Sequence, residues 1–107
     1  MSAVKLIVMY PTPKDVDAFE RAYASEHIPM ATPIFKSAGA TKAVLSKASG
    51  SPSSAFHRIA EIHFPSMDVL EACAASADGQ AALAHAHQIS NGGPPVVMVA
   101  EEETVTF

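Results

Sequence analysis

Near its start the chain carries Val4-Lys5-Leu6-Ile7-Val8-Met9-Tyr10, apolar at almost every position and closed by Pro11-Thr12-Pro13. A short run of β-branched and aromatic residues that ends in proline is a strand. Successive side chains of a strand point to opposite faces, so Leu6 and Val8 share one side while Ile7 and Met9 share the other. Both faces of this strand therefore need cover.

The rest of the chain supplies cover for one face. Asp15 is placed to cap a helix running to Glu26 or His27, with Val16, Phe19 and Tyr23 on one stripe. Pro29 disfavours helical geometry at Ile28 and marks its end. Residues 30–38, interrupted by Pro33, read as an irregular or short helical connection released at Gly39. A second strand follows over residues 40–46, a turn over residues 48–54, and a third strand over residues 56–64 (FHRIAEIHF) that stops at Pro65. These two strands form a hairpin. Ser66 caps a helix over residues 67–75, and Ser76-Ala77-Asp78 restarts helix to about Ile89. Asn91-Gly92-Gly93-Pro94-Pro95 breaks it, and residues 96–99 form a fourth strand.

This βαββαβ order predicts an α+β chain forming one domain over residues 1–107. It has a four-stranded antiparallel sheet, with right-handed crossovers placing the helices on one face. The other face, carrying Ile7 and Met9, would be a sheet-sized apolar patch in water. A homodimer in which the open faces meet is the expected solution.

Composition narrows the partners. Of 107 residues, 49% are hydrophobic and 17% charged, and the net charge of −4 leaves no basic face for nucleic acid. No apolar run approaches the roughly 20 residues that cross a bilayer, and the start shows no secretory pattern, so no membrane partner and a cytoplasmic location are expected. The single cysteine, Cys73, excludes an internal disulfide and sits among Val69, Leu70 and Ala74 as a core residue. Neither a phosphate-binding glycine loop nor a serine nucleophile elbow occurs.

Two groups of residues can carry chemistry. Phe19, Tyr23 and His27 drift by only about 40° per four-residue step along a helix, so His27 shares the sheet-facing stripe. A buried imidazole beside a phenol can act as general acid or base, or simply close the helix through hydrogen bonds. On the third strand His57, Ile59, Glu61 and His63 alternate onto one face, with Phe56, Arg58, Ala60, Ile62 and Phe64 on the other. The first set either lines a semi-polar cavity or forms an ion pair of Glu61 with His63 or Arg58. Neither group has metal-ligand spacing, so no metal is expected. His85 and His87, two apart on a helix, read as solvent or packing residues.

With these residues placed, the chain resembles the EthD family, named for ethyl tert-butyl ether degradation. The resemblance rests on Lys5-Leu6-Ile7-Val8-Met9-Tyr10-Pro11, on Phe19-x3-Tyr23-x3-His27-x-Pro29, on Phe56-His57-Arg58-Ile59-Ala60-Glu61, and on residues 76–82 around Asp78-Gly79-Gln80. It implies a ferredoxin-like fold, two sheets pairing as a dimeric α/β barrel, and a pocket in each subunit between sheet and helices. The wider group includes cofactor-free monooxygenases, isomerases, cyclases, decarboxylases and haem-degrading enzymes. The resemblance points to a hydrophobic small molecule, aromatic or enolisable, handled without a cofactor by oxidoreductase or isomerase chemistry. His27 would move a proton, Tyr23 or Tyr10 would bind a substrate oxygen, His57 with Glu61 would tune charge beside His63, and Phe35 and Phe56 would form apolar wall. The rival functions are a non-catalytic subunit delivering a ligand to an oxygenase, a haem binder using His27, His57 or His63, and a purely structural dimer.

Overall fold

The computed structural model describes residues 3–49 and 55–107; the turn expected over residues 48–54 lies, from residue 50 on, outside them. The order is β1 (Val4–Pro11), α1 (Val16–Ala22), a π turn (Tyr23–His27), α2 (Ile28–Ser37), β2 (Lys42–Lys47), β3 (Phe56–Phe64), α3 (Met67–Ala75), α4 (Ala77–Ile89) and β4 (Val96–Glu101). The strands form one sheet in the order β2-β3-β1-β4, with every neighbouring pair antiparallel. No helix among the described residues is long and apolar enough to cross a membrane.

Alternation along β1 divides the sheet as the sequence implies. Val4, Leu6, Val8 and Tyr10 are buried, together with Ala60, Ile62 and Phe64 of β3, against Phe19, Tyr23, Leu70, Cys73 and Ala86 of the helices. Lys5, Ile7 and Met9 face the other way, beside Glu61 and Ile59 of β3 and Met98 and Val96 of β4. Among the described residues that second face carries no helix.

The barrel implied by the resemblance is not formed. The sheet is open: β2 and β4 are its two edges and do not pair with each other. Closing a sheet needs tilt and stagger shared around a full ring, and eight strands already leave an interior only wide enough for side chains. Four strands with one face packed on helices have no such interior to close around.

The first helix also departs from expectation. Pro29 does not end it; the chain continues helically to Ser37, so of the two readings of residues 30–38 the helical one holds and the irregular one does not. Ile28 stays in the right-handed helical region at φ −60°, ψ −46°, and its N–H bonds the Tyr23 carbonyl five residues back. Proline lacks an N–H, and its ring crowds the carbonyl four residues earlier. A wider i→i+5 turn takes up both effects without breaking the helix. Further along, the Thr32 hydroxyl bonds the Ile28 carbonyl at 2.7 Å, just before Pro33.

The later helix boundaries follow the serine caps. Ser66 Oγ accepts from Val69 N–H at 3.3 Å, and Ser76 Oγ accepts from Gly79 N–H at 3.0 Å while donating to the Cys73 carbonyl at 2.6 Å. A Cβ at residue 79 would lie 2.0 Å from that carbonyl oxygen, so this tight joint between α3 and α4 requires glycine.

Candidate functional site

Three aromatic rings of one helix and one of another form a column. Phe19 and Tyr23 lie 5.5 Å apart at 17°, Tyr23 and His27 6.0 Å apart at 17°, and His27 and His85 5.2 Å apart at 8°. On a regular α-helix each four-residue step would rotate the next ring by about 40°. The π turn winds less per residue, offsets that drift, and keeps His27 in line with Tyr23. Tyr10 of β1 closes the column from the sheet side, edge-on to Phe19, Tyr23 and His27 at 5.2, 5.5 and 6.4 Å.

His27 is the polar centre of this column and is 7% exposed. Burial, helped by the nearby His85, holds its pKa down at about 4, so the imidazole is neutral near pH 7. Its Nδ1 is 2.9 Å from His85 Nδ1 and its Nε2 is 3.4 Å from the Tyr10 hydroxyl. The first is a short hydrogen bond; the second is at the long limit. Tyr10 is itself buried, and loss of water pushes its phenol pKa well up.

Tyr23 differs from Tyr10 in one respect. Its hydroxyl is buried and has no hydrogen-bond partner among the described residues, an arrangement that carries a desolvation penalty of about 1–3 kcal/mol unless something else fills it. The Arg58 guanidinium stands 5.1 Å from the centre of the Tyr23 ring. Arg58 is gripped by Glu20 through two bonds, 2.7 and 3.1 Å, and His57 Nε2 reaches the same carboxylate at 3.1 Å. Arg58 above all, with His57 assisting, draws the Glu20 pKa down to about 2.

Beside the column a cavity of about 360 Å³ opens between α2 and strands β2 and β3, within the size range of small-ligand pockets. Its wall is formed by Tyr23, His27, Ile28, Ala31, Phe35, Leu45, Ala60 and Ile62, and its edge by Thr32, Lys36, Thr41 and Lys42, all four of which are exposed. Among the described residues no carboxylate lines it.

The expected site residues therefore separate. Tyr23, His27 and Phe35 line the cavity, whereas Tyr10, Phe56, His57, Glu61 and His63 do not; Tyr10 touches the site through His27. The grouping of His57 with Glu61 and His63 on one face is corrected by a bulge. Tyr10 stands opposite Arg58 and Pro11 opposite Phe56, leaving His57 as the extra residue. The bulge re-aims its side chain toward α1, where it meets Glu20 and the edge of Phe19 at 5.7 Å. On the open face Glu61 pairs with Lys5, and His63 lies 3.4 Å from Glu102. Among the described residues no three His, Cys, Asp or Glu side chains converge on a metal position. The three histidines weighed for haem lie apart: His27 lines the cavity with both nitrogens hydrogen-bonded, and His57 and His63 lie outside it.

His85, expected as a solvent or packing residue, instead bonds the central imidazole. The available signal was its position three residues after Ala82 and next to Ala86, both buried on the inner face of α4.

Comparison with known proteins places the chain. The EthD domain family matches residues 12–89. An ethyl tert-butyl ether degradation family protein from Bacillus halodurans is similar in structure, with 28% identity, TM-score 0.84, and coverage of 96% of this chain and 100% of that one. An EthD-like protein from Ralstonia eutropha shares the fold at 20% identity and TM-score 0.68, covering 94% and 92% of the two chains. A dimeric ferredoxin-like protein of unknown function from Jannaschia sp. does so at 17% and 0.73, covering 94% and 99%. No curated protein sequence matches the chain. With more than half of its length matched by the domain and the same ferredoxin-like arrangement in the structure, the chain belongs to the EthD family.

Proposed function

We propose that the cavity between α2 and the sheet binds a compact hydrophobic molecule, aromatic or enolisable, and that His27 exchanges a proton with it while the Tyr23 hydroxyl bonds one of its oxygens. The observation that carries this reading is the buried, unpartnered Tyr23 hydroxyl in the wall of an apolar cavity, next to a neutral imidazole. A ligand oxygen would satisfy the phenol. An imidazole held neutral near pH 7 has a lone pair available to take a proton from an activated C–H or O–H. Cys73 plays no part: it is buried, and burial raises its thiol pKa.

A second reading has its own support. Both His27 nitrogens already have protein partners, which suits a binding or delivery protein that performs no turnover. The two separate on a single assay with acetylacetone and 2-naphthol as probes. Proton transfer predicts that the protein accelerates exchange of the acetylacetone methylene hydrogens in deuterated water and that His27→Ala abolishes the acceleration. Delivery alone predicts thermal stabilisation by 2-naphthol with no exchange. Absence of both effects would remove this cavity as the site.

The chain is further proposed to act as a homodimer in the cytoplasm, with a second copy covering the open face of the sheet and each sheet remaining open. The face carries Val44, Val96 and Met98 at 40%, 44% and 47% exposure, apolar groups that a second copy would take out of water. The Jannaschia protein of the same fold is described as dimeric.

A further inference from the structure

We propose that His85 is the proton exit of the site: it fixes His27 as the Nδ1–H tautomer and passes protons between that buried imidazole and water. The catalytic use of this path rests on the His27 reading above; the path itself does not.

The tautomer follows from counting hydrogen-bond donors. A phenol that stays protonated always has one O–H to place, and among the described residues the hydrogen-bond partner of the buried Tyr10 hydroxyl is His27 Nε2. If Nε2 carried the proton, it would donate to the Tyr10 oxygen and leave the phenol hydrogen stranded in the core, which buried polar groups avoid. Nε2 therefore holds the lone pair, and the neutral imidazole carries its hydrogen on Nδ1. That hydrogen points along the 2.9 Å contact to His85 Nδ1. His85 Nδ1 must then be an acceptor, which puts the His85 hydrogen on Nε2.

The position of the two rings completes the path. His27 is buried, while His85 is only partly covered on α4. The ring and hydrogen-bond partners of the pair are Tyr10 from β1 and Tyr23 from the π turn; among the described residues no carboxylate, lysine or arginine forms a hydrogen bond or ion pair with either imidazole. The Glu20–Arg58 pair touches Tyr23 instead. Nothing in the pair's surroundings therefore traps a positive charge on either ring.

The transfer balances without a redox partner. A ligand displaces the long Tyr10 contact and its acidic C–H or O–H breaks, with the electron pair staying on the ligand and the proton bonding Nε2. His27 then yields its Nδ1 proton to His85 Nδ1, and His85 releases its Nε2 proton to water. The pair ends as His27 Nε2–H and His85 Nδ1–H, the form that donates a proton from Nε2, and the reverse sequence restores the start. One nitrogen thus serves as base and then as acid.

The test uses 15N-labelled protein without ligand, read by imidazole 15N shifts and by exchange of the His27 N–H with water. Wild type is expected to show Nδ1–H with Nε2 unprotonated. His85→Gln retains an acceptor oxygen but cannot relay, so the tautomer should persist while exchange slows by about a hundredfold. His85→Leu removes both functions and should mix the tautomers. An Nε2–H tautomer in wild type, or unslowed exchange in His85→Gln, would overturn the proposal. If neither variant folds, the wild-type shifts alone decide the tautomer on which the path depends. Because no ligand enters the experiment, its failure leaves the cavity assay untouched, and the converse also holds.

Discussion

The two faces of this sheet are built from alternate residues of the same strands, yet they hold opposite kinds of surface. The helix-covered face closes over Tyr10, Phe19, Phe64 and the imidazole of His27, with the buried polar side chains of the described residues engaged except at Tyr23. The open face leaves Val44, Val96 and Met98 in contact with solvent around the Lys5–Glu61 pair. One face has its apolar groups satisfied and a polar group waiting; the other has its polar groups satisfied and its apolar groups waiting. The contrast separates what folds the chain from what the chain is left to bind.

The largest effect should come from treating the faces alike. Phe19→Ala, on the covered face, is expected to lose about 3–5 kcal/mol of stability by urea unfolding. Met98→Ser, on the open face, should change the stability of the chain itself by less than about 1 kcal/mol while lowering its mass toward monomer in light scattering. Equal destabilisation by the two, or an unaltered mass, would break the comparison.

A smaller effect concerns pH. His27 has a pKa near 4 in the folded chain against 6.5 in the unfolded one, so the unfolded state binds more protons between those values. Stability is fully present above about pH 6.5 and declines as the pH falls toward 4, by on the order of 2–3 kcal/mol. In His27→Gln that part of the acid decline should disappear from unfolding curves recorded across the interval; an unchanged slope would show that the covered face does not hold the imidazole neutral.

The smallest change should be Tyr23→Phe. Removing a hydroxyl that has no partner among the described residues is expected to leave stability unchanged or raise it by about 1 kcal/mol, measured by thermal unfolding, while weakening 2-naphthol binding. A loss of stability would reveal a partner for the phenol and weaken the case for a ligand oxygen there.

How much of this was legible follows from how local each cause is. The strand β1, the serine caps at 66 and 76, and the shared stripe of Phe19, Tyr23 and His27 depend on neighbours within a few residues, and the sequence carries them openly. The π turn is hidden because the local rule for Pro29 ends a helix there, whereas the chain widens one turn and continues helically to Ser37. The bulge at His57 depends on the register against β1, which alternation within β3 alone does not reveal. The place of His85 depends on a residue 58 positions away. Openness of the sheet is likewise a property of its edges, not of any one strand.

The wide turn at Tyr23–His27 also lets the helix hold one residue more than regular winding would. Five residues there turn through about the angle that four turn through in an α-helix, so α2 meets the sheet as it would in a chain one residue shorter. Deleting Ala24 would return the segment to regular winding and leave Ile28, Ala31 and Phe35 facing the cavity. The change would fall on the turn itself, between Tyr23 and His27. In comparisons with other EthD proteins, a one-residue gap here thus touches the imidazole and spares the cavity wall.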